Sequence, residues 1–240
     1  MESVPGYLEE RRGSAALAFS AIDRSTEPTW DMTVEAAWKA GNLLSHYGVH
    51  PGATVAIVAG PGEPTGDTPI GRLGSSPEPL FALLGALSVG ATVELDPAGP
   101  VSATALIAPA AWHDRYDIAA GCSRFAYGAE PAAPATIHFE RARWSENPIA
   151  PPDAVPGDSE AIPGRTQQSL LEEASEIVST HDLVTGTTVR TSGTLTAAAL
   201  PGAVLAPLLS EATIIGGDGP ADLVVDTDGT VSESTDTRRA

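Results

Sequence analysis

The sequence predicts an α/β fold: a mostly parallel sheet flanked by helices. Three observations predict it. ATVAIVA at 53–59 and ATVEL at 91–95 are continuous apolar runs with the β-branched content of strands buried on both faces. Between them, PEPLFALLGALSVG reads as an apolar helix, with Pro77 near its first turn and Gly90 at its close. A second helix, RTQQSLLEEASEIVSTHDL, places Leu170, Leu171, Ala174, Ile177 and Val178 on one face. A strand–helix–strand unit of this kind crosses over right-handed.

The remaining elements follow in chain order. Tyr7 to Arg12 reads as a short helix and Ala15 to Ile22 as an apolar strand. In TWDMTVEAAWKAGNLLSHYGVHPG, Asp31 is the expected N-cap with Glu35 in the first turn. Val34, Ala37, Trp38, Gly41, Leu43 and Leu44 recur at helical spacing, Gly48 stops the helix, and Pro51-Gly52 turns into the first core strand. Residues 60–76 form a Gly/Pro-rich loop. TALIAP, AWHDRYDIAA and SRFAYG make a weaker strand, helix and strand, and ATIHFE is a further strand candidate. LTAAALPGAVLAPLLSEATIIGG reads as an apolar helix bounded or interrupted by Pro201, then a strand from Ala212 to Ile215. Residues 1–225 are expected to form one domain. The polar stretch 226–240, DTDGTVSESTDTRRA, is expected to be a disordered tail.

Composition narrows the partners. Lys+Arg is 13 and Asp+Glu is 31, a net charge of −18, and Lys39 is the only lysine. An acidic, lysine-poor, alanine-rich surface is the pattern of salt adaptation, because dense carboxylates keep a chain soluble when salt screens repulsion. A cationic partner is the rival reading. Nucleic acid is excluded as a partner, since no basic patch exists to meet phosphate. No apolar run approaches the roughly 18 residues a membrane span needs. The N-terminus lacks the basic start and apolar stretch of a signal peptide. The single Cys122 leaves no intramolecular disulfide and fits a reducing compartment, so a cytoplasmic setting is expected.

Three blocks, in order, resemble the adenylate-forming superfamily of acyl-CoA synthetases, luciferases and peptide-synthetase adenylation domains. The first follows the family's "Leu-x-x-x-Gly-Val-x-x-Gly-Asp-x-Val-Ala-Ile" at Leu44, Gly48, Val49, Gly52, Val55, Ala56 and Ile57, with Ala53 in place of the Asp. The second matches at Ala86, Gly90, Ala91 and Pro97, with Glu94 where a proline is usual. The third matches at Gly202, Pro207, Leu208, Ala212 and Thr213, with Glu211 replacing a glycine. The resemblance covers roughly residues 7–217 and implies the N-terminal subdomains of such an enzyme, without its second half; the acidic composition makes a halophilic archaeon the expected source. It also implies a partner for surfaces the parent buries: a homodimer or a full-length acyl-CoA synthetase.

Family members bind ATP phosphates with a loop close to Thr-Ser-Gly-Thr-Thr-Gly-x-Pro-Lys-Gly, where glycines turn N–H groups to phosphate and lysine neutralises charge. TSGT at Thr191–Thr194 begins like that loop, but no glycine or lysine follows closely, and it lies just before the Pro-Leu-Leu block. The loop's proper place is after Asp158-Ser-Glu-Ala-Ile162, where only Pro163, Gly164, Arg165 and Thr166 remain before the helix. A plain Pro-Gly turn is the favoured reading there. The alternative is a weak acyl-CoA or nucleotide site at Gly164, Arg165, Thr166 and Ser192, in a small-molecule binding protein or a residual acyl-CoA synthetase-like enzyme. With no lysine for the loop or for the acyl-adenylate step, no catalytic residue, metal or cofactor is expected, and a non-catalytic binding or regulatory role is the leading expectation.

Other candidates are weaker. GPGEPTG at Gly60–Gly66 has dinucleotide-loop glycines off by one. His46 and His50 could share a metal only if Gly48 did not end the helix between them. Trp112-His113-Asp114 holds acid–base types that do not face each other on a helix, and Cys122 reads as an inert thiol.

Overall fold

A computed structural model describes residues 3–22, 27–60 and 71–234. The chain builds two five-stranded sheets and one small hairpin, where the sequence suggested a single sheet. The first sheet holds β2 (Thr54–Ile57), β3 (Thr92–Leu95), β4 (Ala105–Pro109), β5 (Ser123–Tyr127) and β6 (Ile137–His138), in the order β3-β2-β4-β5-β6, all parallel. The second holds β1 (Phe19–Ala21), β9 (Thr188–Thr191), β10 (Thr213–Gly216), β11 (Leu223–Val225) and β12 (Val231–Glu233), in the order β1-β10-β9-β11-β12. Only β12 in that sheet runs antiparallel. The hairpin pairs β7 (Glu160–Ile162) with β8 (Arg165–Thr166).

Strand alternation sets the layers of the first sheet. Val55, Ile57, Ala105, Ile107, Phe125 and Tyr127 point into the large core beneath α2 (Trp30–His46) and α3 (Glu78–Ser88). Their neighbours Ala56, Val58, Leu106 and Ala108 point to the opposite face, where Trp112 covers them. Both faces are therefore covered, as parallel strands require.

Helices α2 and α3 pack through glycines. A Cβ on Gly85 would lie 2.7 Å from the Ala37 carbonyl oxygen, 2.7 Å from Ala40 Cβ and 2.8 Å from the Gly41 nitrogen. The N-cap of α2 is Thr29, whose Oγ1 accepts from Met32 N, and not Asp31. Asp31 instead accepts from the Gly13 amide at 2.7 Å and ties down the preceding turn. Gly48 closes α2 with φ of 86°, its amide bonding Ser45 O while the Val49 amide bonds Leu44 O, a Schellman end.

The other elements are α1 (Val4–Glu10), a 3₁₀ segment at Ala110–Arg115, α4 (Phe139–Trp144), α5 (Gln167–Thr180) and α6 (Ala206–Ser210), which continues a π-helical turn at Pro201–Leu205. ATIHFE contributes only the two residues of β6, because Phe139 already opens α4. Part of the segment expected as a disordered tail forms a strand: β12 pairs β11 as Leu223↔Glu233, Val224↔Ser232 and Val225↔Val231. Its polar composition reflects an outer edge strand facing water.

Arg11 closes the second sheet's helix layer. Its Nε and Nη2 donate to the carbonyls of Leu208 and Leu209 at 2.8 and 2.7 Å, and Nη1 pairs with Glu211 at 3.1 Å. Glu211 has φ of 57°, the left-handed cap conformation that glycine adopts without strain. Gln167 is fully buried and links three elements, accepting from Val4 N and donating to Leu87 O, each at 2.8 Å.

Candidate functional site

The stretch where the sequence resemblance expects a phosphate loop forms the turn between β7 and β8. Only Pro163 and Gly164 separate the two strands. Gly164 has φ of 77°, the value such a tight turn demands at that position. Its amide donates to Glu160 Oε1 at 2.6 Å. Arg165 pairs through Nη2 with the Glu173 carboxylate on α5. Thr166 is the N-cap of α5, its Oγ1 accepting from Ser169 N at 3.2 Å. The structure therefore brings Gly164, Arg165 and Thr166 together, and each already has an internal partner. A phosphate arriving here would meet Glu160 at close range and compete with Glu173 for Arg165.

Ser192 lies elsewhere. The second sheet reverses its winding between β9 and β11, since β9 leads to β10 on one side and β10 then leads across to β11. Ser192 stands at the carboxyl ends of those two strands, the crevice where open parallel sheets hold ligands. There its amide donates to Val225 O at 2.9 Å and its hydroxyl to Asp226 Oδ1. Thr196 Oγ1 bonds Thr227 O alongside. Ser192 shares no hydrogen bond or ion pair with Gly164, Arg165 or Thr166 among the described residues. TSGT is thus the outlet of a strand sealed by the following loop, and it presents a carboxylate rather than a lysine.

The first sheet has its own reversal between β2 and β4, and aromatic side chains fill it. Tyr127 donates its hydroxyl to Val58 O at 2.8 Å, and burial holds that phenol well above its ordinary pKa. Trp112 is fully buried, and a Cβ on Gly60 would fall 2.4 Å from its ring. Nearby, burial raises the Asp96 carboxyl, while burial and Asp96 together push Tyr116 up to about 12. Strand order alone reveals both reversals, so no local sequence signal marks them. Beyond Gly60, the GPGEPTG glycines lie outside the described residues.

The remaining candidates are placed as follows. His46 Nδ1 meets Glu146 Oε1 at 3.1 Å, while His50 bonds the Pro51 carbonyl beyond the Gly48 turn. His113 Nε2 donates to Phe125 O at 2.8 Å, and burial lowers its imidazole pKa. Burial raises the Cys122 thiol, which disfavours the reactive thiolate. Among the described residues no group of three or more His, Cys, Asp or Glu could hold a metal, and no helix is long and apolar enough to cross a membrane.

Two mostly parallel sheets with helices on their faces, in this order, match the fold of the N-terminal subdomains of acyl-CoA synthetases. Among solved structures, the chain is similar to the anthranilate CoA ligase AuaEII in complex with anthranoyl-AMP, with TM-score 0.68 and 15% identity over 91% of this chain and 45% of that one. It is similar to an acyl-CoA synthetase of Brucella canis, with TM-score 0.66 and 18% identity over 90% and 43%. It is also similar to the N-terminal domain of FACL13 from Mycobacterium tuberculosis, with TM-score 0.64 and 16% identity over 92% and 58%. The chain thus spans under half the length of the ligase and the Brucella synthetase. No protein-family model and no curated protein matches it.

Proposed function

We propose that the chain is a non-catalytic relative of the adenylate-forming enzymes that works by binding, as a regulatory or scaffolding protein in a salt-rich cytoplasm. One observation supports the reading: where the resemblance expects a phosphate loop the chain has a two-residue turn, and the Gly164 amide donates to Glu160. Phosphoryl chemistry needs converging N–H donors and a cation that stabilise transferring charge. Here the donors are few, the cation Arg165 is paired, and the sequence holds no lysine other than Lys39 on α2. The salt-rich setting rests on the net charge of −18. A function without chemistry acts through a partner, either a second copy or a full-length acyl-CoA synthetase.

The test is titration calorimetry of ATP, AMP and acyl-CoA against the protein in molar KCl with Mg²⁺. No heat of binding is expected with any of them. Micromolar binding that Arg165→Ala abolishes would instead establish a small-molecule site at Gly164, Arg165 and Thr166.

A further inference from the structure

The outer face of α2 is covered along only half its length. Asn42 and His46 in its second half are held by the strap that follows α4: Asn42 Nδ2 bonds the carbonyls of Asn147 and Ile149, and His46 meets Glu146. The first half is bare. There a groove of about 300 Å³ opens between α2, α3 and α4, with Pro28, Met32, Ala36, Phe81 and Trp144 as its apolar lining. Trp144 is 77% exposed and Met32 46%, in a chain whose other three tryptophans are buried. The groove floor is an ion pair: Arg143 Nη2 meets both Glu78 oxygens at 3.0 Å, and its guanidinium lies 4.9 Å from the Phe81 ring.

The charges over this groove are ordered. Lys39 rests its ammonium 5.1 Å from the Trp144 ring and has no carboxylate partner among the described residues. Glu35, one turn earlier on the same stripe, is exposed and has no cation partner among them. An acid and a base one turn apart on a bare helix face form a self-complementary pattern. When two such helices cross antiparallel on a two-fold axis, Glu35 of each faces Lys39 of the other. The same crossing brings Met32 and Trp144 together from both sides. Glu35, Lys39, Glu78 and Arg143 sum to zero, so this is a neutral island on a chain of −18.

The geometry points to a second copy of this chain as the occupant: an isologous dimer through the first half of α2 and Trp144. It gives a surface to the partner reading above, yet it does not depend on whether the chain binds nucleotide. Two copies of −18 repel at long range, so the dimer is favoured by salt, which shrinks the screening length from about 10 Å at 0.1 M to about 3 Å at 1 M.

Sedimentation velocity of the full chain across protein concentration, at 0.1 M and 2 M KCl, tests this. A reversible dimer that tightens at 2 M is expected. Lys39→Glu and Glu35→Lys should each weaken it at least about tenfold, because each places like charges together twice across the axis. The double variant Glu35→Lys/Lys39→Glu should recover the parent affinity, and Trp144→Ala should leave a monomer. Glu35 and Trp144 are exposed and Lys39 is half-buried, and unchanged circular dichroism separates lost association from lost folding. A monomer at both salts, or a dimer that ignores the single charge reversals, overturns the proposal. Nucleotide binding would count against the non-catalytic reading and leave this one standing.

Discussion

Gly85→Ala sets two known effects against each other. Alanine is favoured over glycine inside a helix by about 1 kcal/mol, so on propensity alone α3 should be strengthened. The new methyl, however, would sit 2.7 Å from the Ala37 carbonyl oxygen and 2.7 Å from Ala40 Cβ, against ordinary carbon contacts of about 3.5–4.0 Å. Both obstacles belong to the backbone or to a Cβ, so no rotamer change removes them, and α2 and α3 must part by about 1 Å. Overpacking of this kind costs about 3 kcal/mol at the upper end of its usual range, which leaves a net loss of about 2 kcal/mol. For a chain of this size that lowers Tm by about 4–8 °C. Urea unfolding at fixed KCl, followed by tryptophan fluorescence, should show a lower midpoint with an unchanged slope. Gly41→Ala is the internal control. Its nearest obstacle is Ser88 Oγ at 2.8 Å, so Ser88→Ala should rescue it in part and should not rescue Gly85→Ala. A Gly85→Ala protein as stable as the parent would refute the close helix approach.

Two further outcomes follow from local geometry. Glu211→Gly should be more stable than Glu211→Ala by about 1 kcal/mol in paired urea titrations: both lose the Arg11 pair, and only alanine keeps the left-handed strain. Burial lowers the His113 pKa below its ordinary 6.5, so the folded state favours the neutral ring. That contribution is complete above 6.5 and is lost as pH falls toward the folded value. Thermal stability should therefore decline on acidification below that point, and His113→Gln, which keeps a donor for Phe125 O, should flatten the decline.

The parts of the fold legible in the sequence are those fixed by local burial. ATVAIVA and PEPLFALLGALSVG are apolar throughout because β2 and α3 are covered on every side, and Gly48 and Gly90 punctuate them. The amphipathic α5 was equally plain, from Leu170, Leu171 and Ala174. By contrast, β9 mixes half-exposed Thr188 and Arg190 with buried Val189 and Thr191, and β11 has three residues, too few to show a period. The division into two sheets was hidden because β1 pairs with β10 across most of the chain. Thr29 displaced Asp31 as the cap through backbone direction, which composition does not encode. At the candidate site, the scarcity of glycines and the lack of a lysine were visible in letters. That Glu160 takes the Gly164 amide emerges only when β7 and β8 are paired.

The reach of Arg11 bears on the order of synthesis. Its acceptors lie 197 and 198 residues further on, and Phe19 waits equally long for Ile214. At 5–20 residues per second a ribosome needs roughly 10–40 s to make that stretch. During this interval the first sheet, closed by the pairing of β5 with β6 at Ala126↔His138, can fold once it has left the exit tunnel, while α1 has α3 to pack on and β1 still lacks its sheet partner β10. β1 is thus made long before the strand it pairs with. The nascent chain carries Phe19 without its sheet partner until Ile214 has emerged, and a chaperone that shields apolar segments would find it there.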